Sequence, residues 1–123
     1  MHCITDNKIN AKAFIISGEG LIPPVAALRG VRFDYAKDEA GARTSVVTSV
    51  RYDCVDMETL GSFSIKIPTA SPIITPDELE KAPSLVFLEI PVEEVQIKPF
   101  EIAFGVAKVS ITAPYVKLYE RGN

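Results

Sequence analysis

The second half of the chain alternates between apolar and polar residues, and this pattern limits the fold more than any other feature. Clear examples are the runs Val46–Cys54, Ser62–Ile67 and Lys108–Thr112. A period of two is typical of half-buried antiparallel strands. Proline and glycine residues separate the runs, which indicates short strands joined by turns. The pattern therefore predicts an all-β protein whose function depends on a surface or a loop.

The chain is long enough to form one domain with its own core, since it has 123 residues and 47% of them are hydrophobic. We expect a single β domain over residues 1–123. Residues 1–26 are expected to be a loosely ordered N-terminal extension with one candidate strand at Ala13–Ile16. The short apolar run Val25–Leu28, which follows two prolines, could form one helical turn. Roughly seven strands and one short helix are expected overall.

Alternation also assigns side chains to faces of the predicted sheet. In the strand at 30–35, the odd-numbered residues share one face and Arg32 lies on the other. In the strand at 45–55, Val50, Tyr52 and Cys54 share the core face, which leaves Arg51 outside. Lys66 lies on the exposed side of the next strand, so Arg51 and Lys66 are candidate cross-strand neighbours.

A short helix interrupts the strands. Thr75 is a suitable N-cap, Pro76 occupies the first helical position, and Pro83 ends the helix after one or two turns. The strands around it must protect their edges, and a small antiparallel barrel or a compact sandwich would do so. The inserted helix favours the barrel, similar to an oligonucleotide-binding (OB) fold, with the compact β-sandwich as the alternative.

Residues that usually carry catalysis or bind metals are scarce. His2 is the only histidine, and the two cysteines, Cys3 and Cys54, lack the spacing of a zinc site. A buried thiol at Cys54 is favoured over a disulfide to Cys3. Three carboxylate pairs lie at a turn, at the helix cap and on a loop, where no pocket is expected. We therefore expect no enzymatic activity, no metal and no cofactor.

The chain shows no secretory signal and no apolar run of about 18 residues, so we expect a cytoplasmic protein without a membrane partner. Its formal net charge is −3, which argues against a protein that coats duplex DNA. The charge is uneven, however, because residues 29–51 are net positive and residues 77–101 are net negative. This asymmetry suggests one basic edge and one acidic end.

Binding to a single strand of nucleic acid needs cations for the phosphates and aromatic rings for the bases. Tyr115, Lys117 and Tyr119 alternate on the last strand, so they would face outward while Val116 and Leu118 face the core. The polar loop at 36–44 could close over a bound strand. The expectation is that the candidate nucleic-acid-binding residues lie together along one groove: Arg32, Tyr35, Lys37, Arg43, Arg51, Lys66, Tyr115, Lys117 and Tyr119. A solvated surface, a plain hairpin tip and packed tyrosines remain the alternatives.

The order of several short segments carries a family resemblance. These segments are Ala27–Arg29 with Val31–Phe33, the insertion Lys37–Gly41, Val50–Asp53, Gly61–Pro68 and Val86–Pro91. In that order, over residues 27 to 119, the chain resembles the YdcP-like small proteins of Gram-positive conjugative transposons. It is similar, more loosely, to the single-stranded DNA-binding proteins of filamentous phages.

The resemblance implies an accessory protein that binds single-stranded DNA without sequence specificity. Such a protein would support the relaxase and helicase of a mobile element or phage during rolling-circle replication and transfer. A homodimer is compatible with this role. The alternative is a protein-interaction or assembly module that does not bind nucleic acid, suggested by the acidic stretch 77–101 and the apolar run 84–90.

Overall fold

Strands form most of the residues that the computed structural model describes, which are 6–10, 22–103 and 106–119. The eight strands within these ranges are β1 (Lys8–Asn10), β2 (Val25–Lys37), β3 (Arg43–Val55), β4 (Ser62–Ile67), β5 (Val86–Glu89), β6 (Gln96–Ala103), β7 (Val106–Thr112) and β8 (Lys117–Leu118). One α-helix, α1 (Pro76–Glu80), follows β4, and a 3-10 turn (Val92–Glu94) precedes β6. The candidate strand Ala13–Ile16 lies outside the described residues.

The strands form one sheet in the order β1-β7-β4-β3-β2-β5-β8, and β6 pairs with β7. The sheet curls into a half-barrel, which confirms the predicted small, barrel-like all-β fold. All strand pairs are antiparallel except β4 and β7, which meet in parallel only where Lys66 lies opposite Thr112. Away from this contact β4 and β7 separate, and a seam opens between them.

The core lies on one face of the sheet, as the alternation predicts. Val50, Tyr52 and Cys54 of β3 are buried side by side with the apolar residues of β4. Burial raises the pKa of the free Cys54 thiol to about 12. The hydroxyl of Tyr52 accepts a hydrogen bond from the backbone N–H of Ile73 at 3.0 Å. This bond holds the segment before α1 against the core.

The helix α1 begins as predicted. The Thr75 side chain accepts a hydrogen bond from Glu78 N–H, and the Glu78 carboxylate accepts one from Thr75 N–H, which forms a capping box. Pro76 stands at the start of the helix. Within the described residues, no helix has the length and apolar character needed to cross a membrane.

The start of β2 corrects one prediction. Val25–Leu28 is not a helical turn, because its backbone pairs with β5 and Ala27 and Leu28 also pair with β3. Pairing on two edges outweighs the weak local preference of such a short run. Within the expected N-terminal extension, the described residues include Lys8–Asn10, which pair with β7, and the buried Ile22.

The β2–β3 hairpin is longer and its loop shorter than predicted. Both strands have 13 residues, and Lys37 still pairs with Arg43. The Asp38 carboxylate accepts hydrogen bonds from the backbone N–H groups of Ala40 and Ala42, at 2.9 Å each. Gly41 has a φ of +83°, a conformation that favours glycine. These contacts define the turn at residues 38–42.

Candidate functional site

Three basic residues lie in register across the middle of the sheet. Arg32 on β2 is opposite Arg51 on β3, and Arg51 is opposite Lys66 on β4. The predicted cross-strand pair Arg51–Lys66 is therefore confirmed. Because neighbouring strands are about 4.8 Å apart, the row spans about 10 Å. All three side chains lie on the face opposite the core.

The row lines a groove of about 690 Å³ that crosses the seam between β4 and β7. We call it the cationic groove. Because the two strands separate there, the floor of the groove is formed by side chains that are otherwise buried. Its lining residues are Asp6, Asn7, Arg29, Arg32, Arg51, Ser62, Phe63, Ser64, Lys66, Phe100, Val109, Ser110 and Ile111.

Asp53 holds Arg32 in the groove. The Nε and Nη2 atoms of Arg32 donate to the two oxygens of Asp53 at 2.9 and 2.7 Å, and Ser64 bonds to both residues. Burial raises the pKa of Asp53, but hydrogen bonds from Arg32 and Ser64 outweigh it and keep this pKa below its ordinary value. A Cβ at Gly30 would lie 3.1 Å from Asp53 Oδ2, so glycine leaves room for this carboxylate.

Asp34 holds Arg51 in a similar way. The Nε atom of Arg51 lies 3.0 and 2.8 Å from the two oxygens of Asp34, and the Ser49 hydroxyl donates to the same carboxylate. Burial raises the pKa of Asp34, but the bonds from Ser49 and Arg51 leave it below its ordinary value. Since Arg51 uses only Nε in this pair, its two Nη groups are left for another acceptor.

Two further cations in the groove are less restrained. Arg29 and Lys66 belong to no ion pair among the described residues. Arg29 lies at an irregularity of β2, where the register with β3 shifts between Leu28 and Gly30. The groove thus combines two arginines held by carboxylates with two cations that form no direct ion pair, although Arg29 helps to lower the pKa of Asp53 and Lys66 that of Asp34.

Phe100 is the exposed aromatic residue of the cationic groove, since it is 68% exposed whereas Phe63, which also lines the groove, is buried. Sequence reasoning missed it. Pro99 precedes it, and the register of β6 with β7 shifts between Pro99 and Glu101, so simple alternation does not assign Phe100 to a face. The signal that could have identified Phe100 in the sequence is a large apolar side chain on a strand that also carries several polar residues.

The segment before β1 closes one end of the groove. Asn7 bridges the seam, since its side chain bonds to both the N–H and the C=O of Ser64 and its C=O accepts from Val109 N–H. Asp6 and Asn7 have φ values of 52° and 54°, a left-handed conformation that Asp and Asn tolerate better than most residues. These contacts fix the rim of the groove.

A second hollow of about 450 Å³ continues the groove, because Lys66 and Ser110 line both. We call it the second hollow. Its other lining residues are Pro68, Glu94, Gln96, Thr112, Ala113 and Pro114. A hydrogen bond to Glu94 is the largest of the effects that raise the pKa of Tyr115, which places the Tyr115 hydroxyl beside this carboxylate.

The structure does not gather the nine predicted residues along one groove. Only Arg32, Arg51 and Lys66 meet there. Tyr35, Lys37 and Arg43 lie at the end of the β2–β3 hairpin, which we call the hairpin tip, and the Arg43 guanidinium sits 3.9 Å from the centre of the Tyr35 ring. Because this ring already stacks with Arg43, it is not a free platform.

The structure also separates the residues Tyr115, Lys117 and Tyr119, which were predicted to share one face of the last strand. Lys117 Nζ lies 5.6 Å from the centre of the Tyr115 ring, and neither residue lines the cationic groove or the second hollow. Tyr119 lines a different surface. Val116 is buried as predicted, but the prediction for Leu118 was wrong, since it is 43% exposed. The two-residue strand β8 lies at the end of the sheet order, and within the described ranges no strand pairs with its outer edge.

The surface lined by Tyr119 is an open depression of about 720 Å³, which we call the apolar hollow. Its side chains come from the ends of several elements rather than from the middle of the sheet. They are Met57, Ile74, Ser84, Leu85, Val86, Phe87, Leu118 and Tyr119. Met57, Leu85, Leu118 and Tyr119 are all exposed.

Within the part of the chain that the structure describes, no group of three or more His, Cys, Asp or Glu side chains is arranged to hold a metal ion. Comparisons with models of known protein families, with curated proteins and with solved structures found no match to this chain. Its function must therefore be inferred from the geometry of these surfaces.

Proposed function

We propose that this protein binds single-stranded DNA along the cationic groove, without catalysing a reaction. The observation that carries the proposal is the row Arg32, Arg51 and Lys66 in register across three strands, with the exposed Phe100 in the same groove. Proteins that bind single strands combine a basic groove for the backbone with aromatic rings on which bases stack. Both components are present within one surface.

The charge distribution supports the proposal despite the net charge of −3. Phosphate binding depends on the local field, and a groove with low-dielectric walls concentrates that field. Arg29 and Lys66 are available to phosphates, and Arg51 retains two Nη groups as donors. The carboxylates Asp34 and Asp53 hold the arginines in place, so little side-chain entropy is lost when a ligand binds.

The shape of the groove favours one strand over a duplex. The groove crosses the seam between β4 and β7 and is closed at one end by Asp6 and Asn7. An exposed ring such as Phe100 can stack only with a base whose face is accessible, which a duplex does not offer. The hairpin tip, with Lys37 and Arg43, supplies a second contact for the same strand.

The expected role is that of an accessory protein of a mobile element or phage. In that role it would coat single strands in the cytoplasm during rolling-circle replication and transfer, with a relaxase or helicase as its protein partner. The carboxylates of the groove serve arginines rather than acid–base chemistry, since the low pKa of Asp34 and Asp53 keeps both ionised. The proposal requires no cofactor.

A titration of fluorescently labelled oligo-dT with the protein, followed by polarisation at two salt concentrations, tests the proposal. We expect binding at micromolar protein and low salt, with affinity that falls steeply as salt rises. A duplex of the same length serves as the control and should bind more weakly. An unchanged polarisation of oligo-dT at low salt would refute the proposal.

The apolar hollow supports a second candidate function, as a module that binds another protein. Leu85 is 63% exposed, and Leu118 and Tyr119 are exposed beside it. β8 is the last strand in the sheet order of the described residues, so an extended segment of a partner protein could add to its outer edge and cover these side chains. Light scattering and capture experiments would distinguish this function, because a strict monomer that binds oligo-dT and retains no partner contradicts it.

A further inference from the structure

The second hollow differs in chemistry from the cationic groove that it continues. Pro68 and Pro114 give it apolar sides, while Glu94 and Gln96 bring a carboxylate and an amide. Lys66 stands where the two meet, because it lines both. A phosphate held at Lys66 would therefore leave its neighbouring base within reach of the second hollow.

A carboxylate beside a phosphate track is unfavourable unless it has a donor to bind. Glu94 belongs to no ion pair among the described residues. The Tyr115 hydroxyl, whose pKa Glu94 raises, lies near this carboxylate and leaves further acceptor positions on its two oxygens. Because Glu94 is exposed, solvent supplies donors to these positions until a nucleobase with an exocyclic amino group replaces it.

We propose that the second hollow is a nucleobase subsite that prefers cytosine to thymine. The inference rests on the proposed function, since a base reaches the hollow only when its backbone lies along the cationic groove. Cytosine presents the N4 amino group as a donor to the glutamate, whereas the one donor on the open edge of thymine, N3–H, lies between O4 and O2, two acceptors that face the carboxylate unfavourably. Glu94 is thus the specificity-determining residue of the subsite, and Tyr115 positions it.

The size and walls of the hollow suit one base. Its volume of about 450 Å³ lies within the range of small-ligand sites. Bases taken out of a stack are commonly held between apolar side chains and identified by hydrogen bonds at their edges. Pro68 and Pro114 supply the apolar contact, and the amide of Gln96 adds a donor and an acceptor next to Glu94.

Oligo-dC and oligo-dT of equal length, titrated by polarisation at the same salt, test the subsite. Both are pyrimidines, so their stacking on the protein differs little. We expect oligo-dC to bind about three- to tenfold more tightly, the value of one hydrogen bond to a charged group on an open surface. The variant Glu94→Gln should reduce this preference, and should strengthen oligo-dT binding because it removes a negative charge near Lys66.

Glu93→Gln is the matched control, because Glu93 lies in the same 3-10 turn but does not line the second hollow. It makes the same change of charge and should leave the dC preference intact. Equal affinities for oligo-dC and oligo-dT in the natural protein would overturn the subsite while leaving the proposed function standing. A preference that Glu93→Gln removes as fully as Glu94→Gln would also overturn it. Failure to bind either oligonucleotide would instead refute the proposed function.

Discussion

The cationic groove and the apolar hollow, of about 690 and 720 Å³, are built in different ways. The groove crosses the middle of the sheet, and ion pairs between neighbouring strands hold two of its arginines, Arg32 to Asp53 and Arg51 to Asp34. The apolar hollow is formed by side chains at strand ends and loops, such as Leu85 and Leu118. Prearranged polar groups give specificity, whereas exposed apolar groups give adaptable contact area. This difference is the reason for proposing that ligand recognition takes place in the groove.

The largest expected effect on DNA affinity comes from removing the exposed Phe100 ring from the cationic groove. The variant Phe100→Ala should lower the affinity for oligo-dT by about 5- to 150-fold, because stacking contributes about 1–3 kcal/mol per base. Phe100 is mostly exposed, so the fold should be retained. Tyr119→Ala is the matched control in the apolar hollow and should leave the affinity unchanged. Equal losses for the two variants, measured by polarisation, would show that the groove alone does not hold the bases.

The second prediction concerns stability and tests whether the groove is prearranged by its ion pairs. Asp53→Asn removes the partner of Arg32 and Ser64. We expect the free energy of unfolding at pH 7 to fall by about 1–2 kcal/mol, a value reduced for solvent screening because Arg32 is largely exposed. Asp77→Asn, which breaks the exposed pair with Lys81, should cost about 0.5 kcal/mol or less. Urea unfolding of the variants measures both.

The pH dependence of this loss follows from the direction of the pKa shift. The pKa of Asp53 is lower in the folded protein than its ordinary value, so the ionised carboxylate stabilises the fold. This contribution is complete above the ordinary aspartate pKa of about 3.9 and is lost as the pH falls through the lower folded value. The difference between the natural protein and Asp53→Asn should therefore be constant near neutral pH and shrink below about pH 4. A difference that grows with acid would contradict this account.

The sequence was sufficient for the fold class and for part of the site. Alternation in β3 and β4 correctly placed Val50 and Tyr52 inside and made Arg51 and Lys66 neighbours, because both strands are regular where they pair. It could not place Phe100, since Pro99 and a register shift break the period in β6. Irregularities of this kind depend on the partner strand and leave little trace in a single sequence.

Contacts that depend on register or on distant parts of the chain were also beyond sequence reasoning. Arg32 and Asp53 are 21 residues apart and meet because the register of the hairpin places Gly30 opposite Asp53 and Arg32 opposite Arg51, a register that follows two shifts between Asp34 and Lys37. The bridge from Asn7 to Ser64 joins residues 57 positions apart. Tyr119 was wrongly expected beside the cations because the face of a two-residue strand cannot be read from alternation alone.

The third prediction separates free cations of the groove from cations elsewhere. Lys66→Gln should make the slope of log affinity against log salt less steep by about 0.7, the value for one phosphate contact with a single strand. The affinity itself should fall only a few-fold, since one exposed contact contributes about 1 kcal/mol or less. Lys81→Gln is the charge-matched control, because Lys81 lines neither the groove nor the second hollow. A slope that both variants change equally would indicate binding through net charge rather than through the groove.

The smallest effect is expected at the apolar hollow, where Leu118→Asp places a charge on an exposed side chain. Surface substitutions usually change the free energy of unfolding by no more than about 0.5 kcal/mol, so the fold should persist. Oligo-dT affinity should also persist, since Leu118 lies outside the groove. Any dimer or partner that pairs with β8 should dissociate, because a carboxylate cannot be buried in that apolar contact without a large cost. If light scattering shows a dimer in the natural protein and a monomer in Leu118→Asp, while both bind oligo-dT with the same salt dependence, the two surfaces act independently. If DNA affinity falls with the dimer, the groove is completed only across two copies of the chain, and the separation of the two surfaces argued here is wrong.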